Sequence, residues 1–292
     1  MKLKINILVF LLTTSVYSQI TRKYSNEFLN IGVDARAFAM GNAVVASVDD
    51  VNSTYWNPAG LTEVWDGWQI GAMHAEYFQS IAKYDYAAVA IPLRNHSTIG
   101  FSLYRFGVDD ILNTTELIDA QGNIDYDRIS KFSTADYALT MSYAGYFLGN
   151  SDIAVGASAK LVYRHIGKFA NSFGFGFDLG LRYKTDDDFY FGLMARDITT
   201  TFNAWSINEK ELNKITVTEP GTGNQETLNE LPEETIELTL PKLQFGVAKK
   251  FQINDKFDVL GELDLNFRFA ETNDLISTSA LSISPAFGFE FG

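Results

Sequence analysis

The sequence predicts an all-β protein, an antiparallel transmembrane β-barrel of about ten strands around a short N-terminal plug. Residues 173–184 alternate without a break between large apolar side chains and glycine, aspartate, arginine or lysine. Since successive side chains of a strand point to opposite faces, this segment has one apolar face and one small or charged face. Similar segments of about 9–14 residues recur along the chain, which is the length that a tilted strand needs to cross a bilayer. The longer connections between them all fall at one end of the predicted barrel.

The first 18 residues have the pattern of a cleaved signal peptide. Lys2 and Lys4 precede the apolar run 7–12, and Val16 and Ser18 are small enough for a cleavage site before residue 19. The apolar run is far shorter than the ~20 residues of a membrane-spanning helix. The sequence therefore predicts export, with the bacterial outer membrane as the destination of a barrel.

Composition excludes several functions. The 292 residues include no cysteine, so disulfides, thiolate metal sites and cysteine nucleophiles are absent. The formal net charge is −13, whereas nucleic-acid binding needs clustered lysine and arginine. We therefore expect no nucleic-acid partner.

Residues 19–64 do not alternate, and we interpret them as the plug. Residues 35–48 are rich in alanine and other small residues and look helical. Pro58 favours an extended Asn57, and Gly60 permits a tight turn or a close approach. The size of the segment and its place before the first strand predict that it folds into the interior of the barrel.

The predicted barrel comprises residues 65–292. Its ten strands cover residues 65–78, 83–93, 98–106, 137–143, 153–164, 173–184, 189–195, 243–247, 257–269 and 281–291.

The connections sort by length. Tight turns follow every second strand, whereas the longer links 107–132, 203–238 and 271–274 fall at the other end. Outer-membrane barrels have short periplasmic turns and longer external loops, and a soluble barrel has no reason to sort its loops. The 203–238 link carries eight glutamates and two lysines, so we expect a solvated external loop. The alternative for this link is a surface that binds a partner or collects cations.

The strand face with small or charged side chains supplies candidates for residues that point into the interior of the barrel. These are Asp178, Arg182, Glu262, Asp264 and Arg268.

An enzyme is not predicted. Glu262 and Asp264 share a strand face, and paired carboxylates can perform acid–base chemistry, but on an inward face they more often line a polar interior. His74, His96 and His165 are dispersed and offer no metal-binding pair. We therefore predict no catalytic residue, metal or cofactor.

The plug region resembles a known family. Residues 34–43 read Asp-Ala-Arg-Ala-Phe-Ala-Met-Gly-Asn-Ala, residues 47–50 Ser-Val-Asp-Asp, and residues 56–61 Trp-Asn-Pro-Ala-Gly-Leu. This pattern resembles the N-terminal region of the PorV/PorQ family, Bacteroidetes outer-membrane barrels related to the FadL fatty-acid transporters. The matching positions are Asp34, Arg36, Met40, Gly41, Asn57, Pro58, Ala59 and Gly60.

The resemblance implies about fourteen strands and a plug. The chain shows about ten strands and stops at Gly292 directly after one of them, so it is either C-terminally incomplete or a smaller relative. An incomplete chain would leave an unpaired strand edge in lipid, which is costly.

Two functions follow from the resemblance. The first is a component or accessory of type IX secretion, which binds the translocon or the C-terminal signal domains of secreted cargo through residues 107–132 and 203–238. The alternative is FadL-like transport of a hydrophobic small molecule past the plug. A purely structural barrel in contact with outer-membrane lipid is the third interpretation. Apolar lining beneath the external loops would favour transport, but the predicted inward parity is mostly small and charged.

Overall fold

A computed structural model describes residues 25–94, 96–117, 123–212, 216–218, 225–227, 235–272 and 274–292. The predicted signal peptide lies outside these residues. The strands are β1 (Gln69–Tyr77), β2 (Ala82–Pro92), β3 (Ser97–Asn113), β4 (Ser130–Tyr146), β5 (Ile153–Ile166), β6 (Ala170–Lys184), β7 (Phe189–Arg196), β8 (Thr201–Ile207), β9 (Thr216–Thr218), β10 (Gln225–Thr227), β11 (Ile236–Thr239), β12 (Lys242–Asn254), β13 (Phe257–Arg268), β14 (Ile276–Ser277) and β15 (Ser282–Phe291).

Helices are few and short. The α-helices are α1 (Ala35–Ala39) and α2 (Ser53–Trp56), and 3-10 helices cover Glu27–Asn30, Pro58–Glu63, Tyr126–Arg128, Phe147–Gly149 and Glu209–Glu211. Within the described ranges, no helix has the length and apolar character needed to span a membrane.

One large antiparallel sheet dominates the fold. Its strands follow the order β1-β2-β3-β4-β5-β6-β7-β12-β13-β15-β14, and β8 pairs with both β6 and β11. The predicted all-β antiparallel class, with ten long strands in sequence, is confirmed. In the described part of the chain, no ladder joins β1 to β15 or β14, so the sheet runs between two unpaired edges.

The sheet has an apolar outer face and a polar inner face. On β6, the outward residues Phe173 and Phe177 are 68% and 43% exposed, whereas the inward residue Asp178 is buried. Strand alternation places each set on its own face. The inner face packs against residues 25–64, which we call the inner segment, and the hydrophobic core lies between this segment and the strands.

The link predicted at 107–132 is partly wrong. Strand β3 extends to Asn113 and β4 begins at Ser130, so the connection is shorter, residues 114–129. The register shifts between Val108 and Ile111, where Asp110 has a φ of 57°. The backbone ladder thus continues beyond the point where the apolar alternation stops. The alternation stops there because exposed side chains occupy both faces of this hairpin.

The link predicted at 203–238 is also too long. Strand β8 continues the direction of β7 after a break at residues 197–200, and β11 precedes β12 after a break at 240–241. The two pair with each other from Thr201↔Thr239 to Ala204↔Ile236. The connection therefore spans residues 208–235, of which 213–215, 219–224 and 228–234 lie outside the described residues.

Two other boundaries differ from the prediction. The helical stretch expected at 35–48 ends at Ala39, because Gly41 and Asn42 adopt φ values of 63° and 66° that terminate the helix. The first strand begins at Gln69 rather than at residue 65, after a turn at Gly67 with a φ of 93°. We call the end of the sheet that carries residues 114–129 and 208–235 the upper end, and the opposite end the lower end.

Candidate functional site

The inner segment is built from short turns that suit a confined space. Asp34 precedes α1, and its carboxylate accepts a hydrogen bond from the Ala37 amide at 3.4 Å. Asn57 plays the same part for the 3-10 helix that follows, accepting from the Ala59 amide at 3.1 Å, and Pro58 occupies the first helical position. Proline is favoured there because its missing N–H would have no partner in the helix.

Asn57 fixes the segment to the wall. It is fully buried, and its side-chain amide donates to the carbonyl oxygens of Val45 at 2.8 Å and Leu181 at 3.2 Å. One side chain therefore joins two parts of the segment to β6. The family-motif residue Asn57 has a structural role that its buried hydrogen bonds explain.

Glycines on the inner face allow the segment to approach the wall closely. A Cβ on Gly156 would lie 2.4 Å from the Pro58 carbonyl carbon, and one on Gly180 would lie 2.1 Å from Asn57 Oδ1. A Cβ on Gly288 would lie 2.3 Å from the Met40 carbonyl oxygen. The backbone of the inner segment thus occupies the space that these glycines leave on the inner face of the strands.

Two predicted interior carboxylates hold the middle of the segment. Asp264 Oδ2 accepts from the amides of Val44 at 2.9 Å and Val45 at 3.1 Å, and Glu262 Oε1 accepts from the Ala46 amide at 2.6 Å. Both carboxylates are buried. Buried backbone amides need such acceptors, so the two carboxyl groups fix the backbone of residues 44–46.

The predicted residue Arg182 binds the same stretch from the other side. Its Nε donates to the Ala46 carbonyl at 2.9 Å, and its guanidinium pairs with Glu63 at 3.1 Å. The inner segment is therefore clamped between β6 and β13.

The motif around α1 contacts the edge strand β1 and the part of β15 that is not paired with β14. The Asp34 amide contacts Met73 Sδ on β1 at 3.4 Å, and Arg36 pairs with Glu290 on β15 at 2.8 Å. Gly41 lies beside β15, since a Cβ on it would be 3.1 Å from the Phe287 carbonyl oxygen. The inner segment thus spans the gap between the unpaired edges of the sheet.

The predicted residue Asp178 belongs to a buried triad. Lys160 on β5 pairs with Asp178 at 2.9 Å and with Asp197, and all three are buried. The Asp197 amide also donates to Asp178 at 2.7 Å. Asp197 begins the break between β7 and β8, so the triad holds that break against the neighbouring strands.

An aromatic cluster makes the interior less polar than predicted. Tyr55 of the inner segment packs against Tyr104, with ring centroids 5.8 Å apart, and Tyr104 packs against Tyr86 at 5.3 Å. Tyr84 is buried beside them. Tyr84 and Tyr86 share the inward parity of β2, but the sequence pattern did not mark them as inward, because Lys83 and Asp85 occupy the opposite parity and make the tyrosines look like the apolar, outward set.

Burial affects the titration of the inner segment. It raises the pKa of the Tyr55 hydroxyl and of the Asp50 carboxyl, although Asp50 also accepts hydrogen bonds from Asn52.

Cavities lie on both sides of the inner segment. The upper cleft, of about 280 Å³, is lined by Ser25, Glu27, Leu238, Thr239, Leu240, Pro241, Lys242, Arg268, Phe269, Ala270, Glu271, Thr272 and Ser279. The lower cavity, of about 350 Å³, is lined by Arg36, Ser47, Asp49, Arg182, Tyr190, Lys250, Asp258, Leu260, Glu290 and Gly292. The predicted interior residue Arg268 lies at the upper cleft, away from Glu262 and Asp264. The upper cleft combines charged and apolar walls, whereas the lower cavity is mainly polar.

Sequence reasoning missed Lys160, Arg196 and Lys242 as interior groups. Lys160 lies on a predicted strand and has the inward parity, which was a usable signal. Lys242 precedes the first predicted residue of its strand, so the alternation did not reach it. Arg196 follows the last predicted residue of its strand, so no alternation marked it.

Comparisons with known proteins give distant structural likenesses. No protein-family model matches the chain, and no curated protein matches it. The toluene transporter TodX of Pseudomonas putida gives a TM-score of 0.48 and 15% identity, covering 88% of this chain and 76% of TodX. The toluene transporter TbuX of Ralstonia pickettii gives 0.48 and 12%, covering 89% and 82%.

The outer-membrane protein OmpT of Vibrio cholerae gives a TM-score of 0.38 and 8% identity, covering 78% of this chain and 62% of OmpT. Similarities this low carry no argument about function. The PorV/PorQ resemblance stays a prediction of the sequence.

Proposed function

We propose that this protein is an outer-membrane β-barrel that passes small hydrophobic molecules, with the inner segment as its gate. The reversed polarity of the sheet carries this proposal. Outward positions are aromatic and aliphatic, and inward positions are small, polar or charged and face the inner segment. A soluble protein rarely exposes so large an apolar surface, whereas a membrane barrel requires one.

The height of the apolar band supports a membrane location. At the upper boundary of the apolar band, one row of register partners with outward side chains crosses six strands. This row consists of His74, Asp85, Arg105, Tyr137, Tyr163 and Phe173. On β6 the band runs from Phe173 down to Tyr183, which is about 34 Å along the strand at ~3.4 Å per residue. A tilt of about 40° projects this to about 26 Å, close to the ~25 Å apolar band of outer-membrane barrels.

The interior supports transport. Cavities lie above and below the inner segment, and the upper one has apolar walls at Leu238, Leu240 and Phe269. The segment is held to the wall by side-chain hydrogen bonds, close glycine contacts and the hydrophobic core. No ladder joins it to the sheet in the described residues, so it can move without breaking the pairing of the strands. Small molecules would pass when it moves.

Dye uptake by bacterial cells that produce the full chain tests this proposal. We expect faster outer-membrane entry of a hydrophobic fluorescent dye than in cells with an empty vector. Gly156→Ala, whose Cβ would press on the Pro58 backbone, should increase entry further by displacing the segment. Gly261→Ala is the matched control, because a Cβ there meets nothing within 4 Å. Unchanged entry with the protein present in the outer membrane would refute transport.

A second candidate is the secretion role. The β3–β4 hairpin favours it, because β3 continues from the Arg105 row to Asn113 and so projects above the apolar band. Such a hairpin, together with the 208–235 connection, offers a surface for the translocon or for cargo with C-terminal signal domains.

Affinity purification from the outer membrane of the native host tests the second candidate. Replacing residues 209–234 by a short flexible linker leaves β8 and β11 intact. We expect the variant to insert normally and to lose co-purifying secretion proteins. Their retention on the variant would show that this connection does not bind them.

A further inference from the structure

Three cations form a row on the inner face at the upper end. Lys242 on β12 is the register partner of Arg196 on β7 and of Arg268 on β13. Directly paired residues in a sheet have Cβ atoms about 5 Å apart. We call Arg196, Lys242 and Arg268 the cation row.

In the described part of the chain, the cation row lacks close counter-charges. Among the described residues, the carboxylates within ion-pair range are Glu27, 4.0 Å from Lys242 Nζ, and Asp274, 3.9 Å from Arg268 Nε. Both distances exceed hydrogen-bond length. Arg196 donates instead to neutral oxygens, Gln244 Oε1 and the Tyr55 carbonyl, each at 2.8 Å.

Other inner-face cations behave differently. Lys160, Arg164 and Arg182 each contact a carboxylate at 2.9 to 3.1 Å. The chain has a net charge of −13, so carboxylates are abundant. Grouped cations without a close carboxylate in a half-buried place are unfavourable unless an anion joins them.

A small cavity covers the row. It measures about 160 Å³ and is lined by Asn30, Asn42, Tyr55, Trp56, Arg196, Lys242, Leu243, Gln244, Asn266, Phe267, Arg268 and Ser284. This lining has three cations and no carboxylate. Its volume equals about five waters at ~30 Å³ each, which is room for a phosphate group.

The cavity adjoins the upper cleft through Lys242 and Arg268, which line both. The β12–β13 ladder ends at this pair, and above it β11 pairs with β8 only. The cleft therefore occupies a split in the wall. Its lining includes Thr239, which is 7% exposed, as well as Leu240 and Phe269, which are 38% and 52% exposed on the outward parity.

We propose that the cation row binds the phosphate of a membrane lipid, whose acyl chain leaves through the upper cleft to the apolar outer surface. Three cations match a lipid phosphomonoester, whose charge approaches −2, better than a singly charged carboxylate. The two guanidiniums can each pair with two of its oxygens. The outward leucine and phenylalanine continue into the lipid-facing surface. The inference rests on the proposed membrane location but not on transport.

Direct binding of lysophosphatidic acid to the detergent-purified full chain tests this inference. This probe has one phosphate and one acyl chain, and oleate and inorganic phosphate are the comparisons. We expect lysophosphatidic acid to bind at least tenfold more tightly than either. The variant Lys242→Met/Arg268→Gln should lose at least tenfold in affinity for it.

The matched control is Lys131→Met/Arg128→Gln, which removes the same charge from exposed positions. It should bind as the wild type does, and heat-dependent gel mobility should show that both variants are folded. Equal binding of oleate would identify a carboxylate ligand, and equal binding of inorganic phosphate would identify a free-ion site. Either result, or unchanged affinity of the row variant, overturns the inference. Insertion into vesicles is measured separately, so a failure of the membrane proposal is distinguishable.

Discussion

At the scale of single residues, Asn57 joins more parts of the interior than its size suggests. Its amide serves two carbonyl oxygens on different elements, and its Oδ1 caps the turn that begins at Pro58. Because the residue is fully buried, no water replaces these bonds when they are removed.

Asn57→Ala should therefore lower the free energy of unfolding by about 1–3 kcal/mol, the usual effect of leaving buried polar groups without partners. The urea midpoint of the refolded protein in detergent measures this effect. Asn208→Ala is the control, since the Asn208 side chain bonds to the Lys168 carbonyl at an exposed position. A similar loss of stability in both variants would show that the buried hydrogen bonds of Asn57 contribute no more than one exposed hydrogen bond.

At the scale of elements, the break between β7 and β8 depends on a buried charge group. Lys160 lies between Asp178 and Asp197, and Asp197 also accepts from the Thr201 hydroxyl where β8 begins. Removing the lysine would leave two carboxylates facing each other inside the wall.

We expect Lys160→Met to destabilise the protein by about 3–5 kcal/mol, as loss of one partner of a buried ion pair does. Lys131→Met, which removes an exposed pair with Asp110, should change stability by less than about 1 kcal/mol. Thermal unfolding in detergent compares them. Adding Asp178→Asn and Asp197→Asn to Lys160→Met should restore part of the loss, and no recovery would argue against an electrostatic cause.

The sequence pattern predicted a strand wherever one face of that strand carries apolar side chains and the other carries small or polar ones. In β6 the alternation runs from Phe173 to Tyr183 because the outer and inner surroundings differ at every step. The upper half of β3 was missed because exposed residues occupy both of its faces, and β11 was missed inside an acidic run. The pattern predicted Glu262 and Asp264 on the inner face, but not that they bind the amides of residues 44–46. The cation row was missed as a group, since only Arg268 was predicted on the inner face and the place of Lys242 beside Arg196 depends on the register between β12 and β7, which are not consecutive in the chain.

At the scale of the whole molecule, the outer face divides into a band and a rim. On β4, Met141 lies within the apolar band, whereas Ser133 has the same outward parity above the Tyr137 row. In the proposed membrane location, position along this one strand separates a lipid environment from an aqueous one.

Met141→Arg should reduce the stability of the membrane-inserted protein by about 2–4 kcal/mol, and Ser133→Arg by about 0–1 kcal/mol, following the depth dependence for arginine on barrel surfaces. Folding titrations into phospholipid vesicles measure both. If the two substitutions have equal effects, the outward face of β4 does not lie in lipid at Met141.

The ion pair between Arg36 and Glu290 joins residues 254 positions apart, and the bond from Val44 to Asp264 spans 220. A ribosome makes the inner segment before any strand, yet its partners on β13 and β15 come last. Contacts with such long separations form slowly, because the intervening chain must first be ordered. The segment is thus the first part of this fold to be synthesised and among the last to reach its final position, because the strands that enclose it are completed only afterwards.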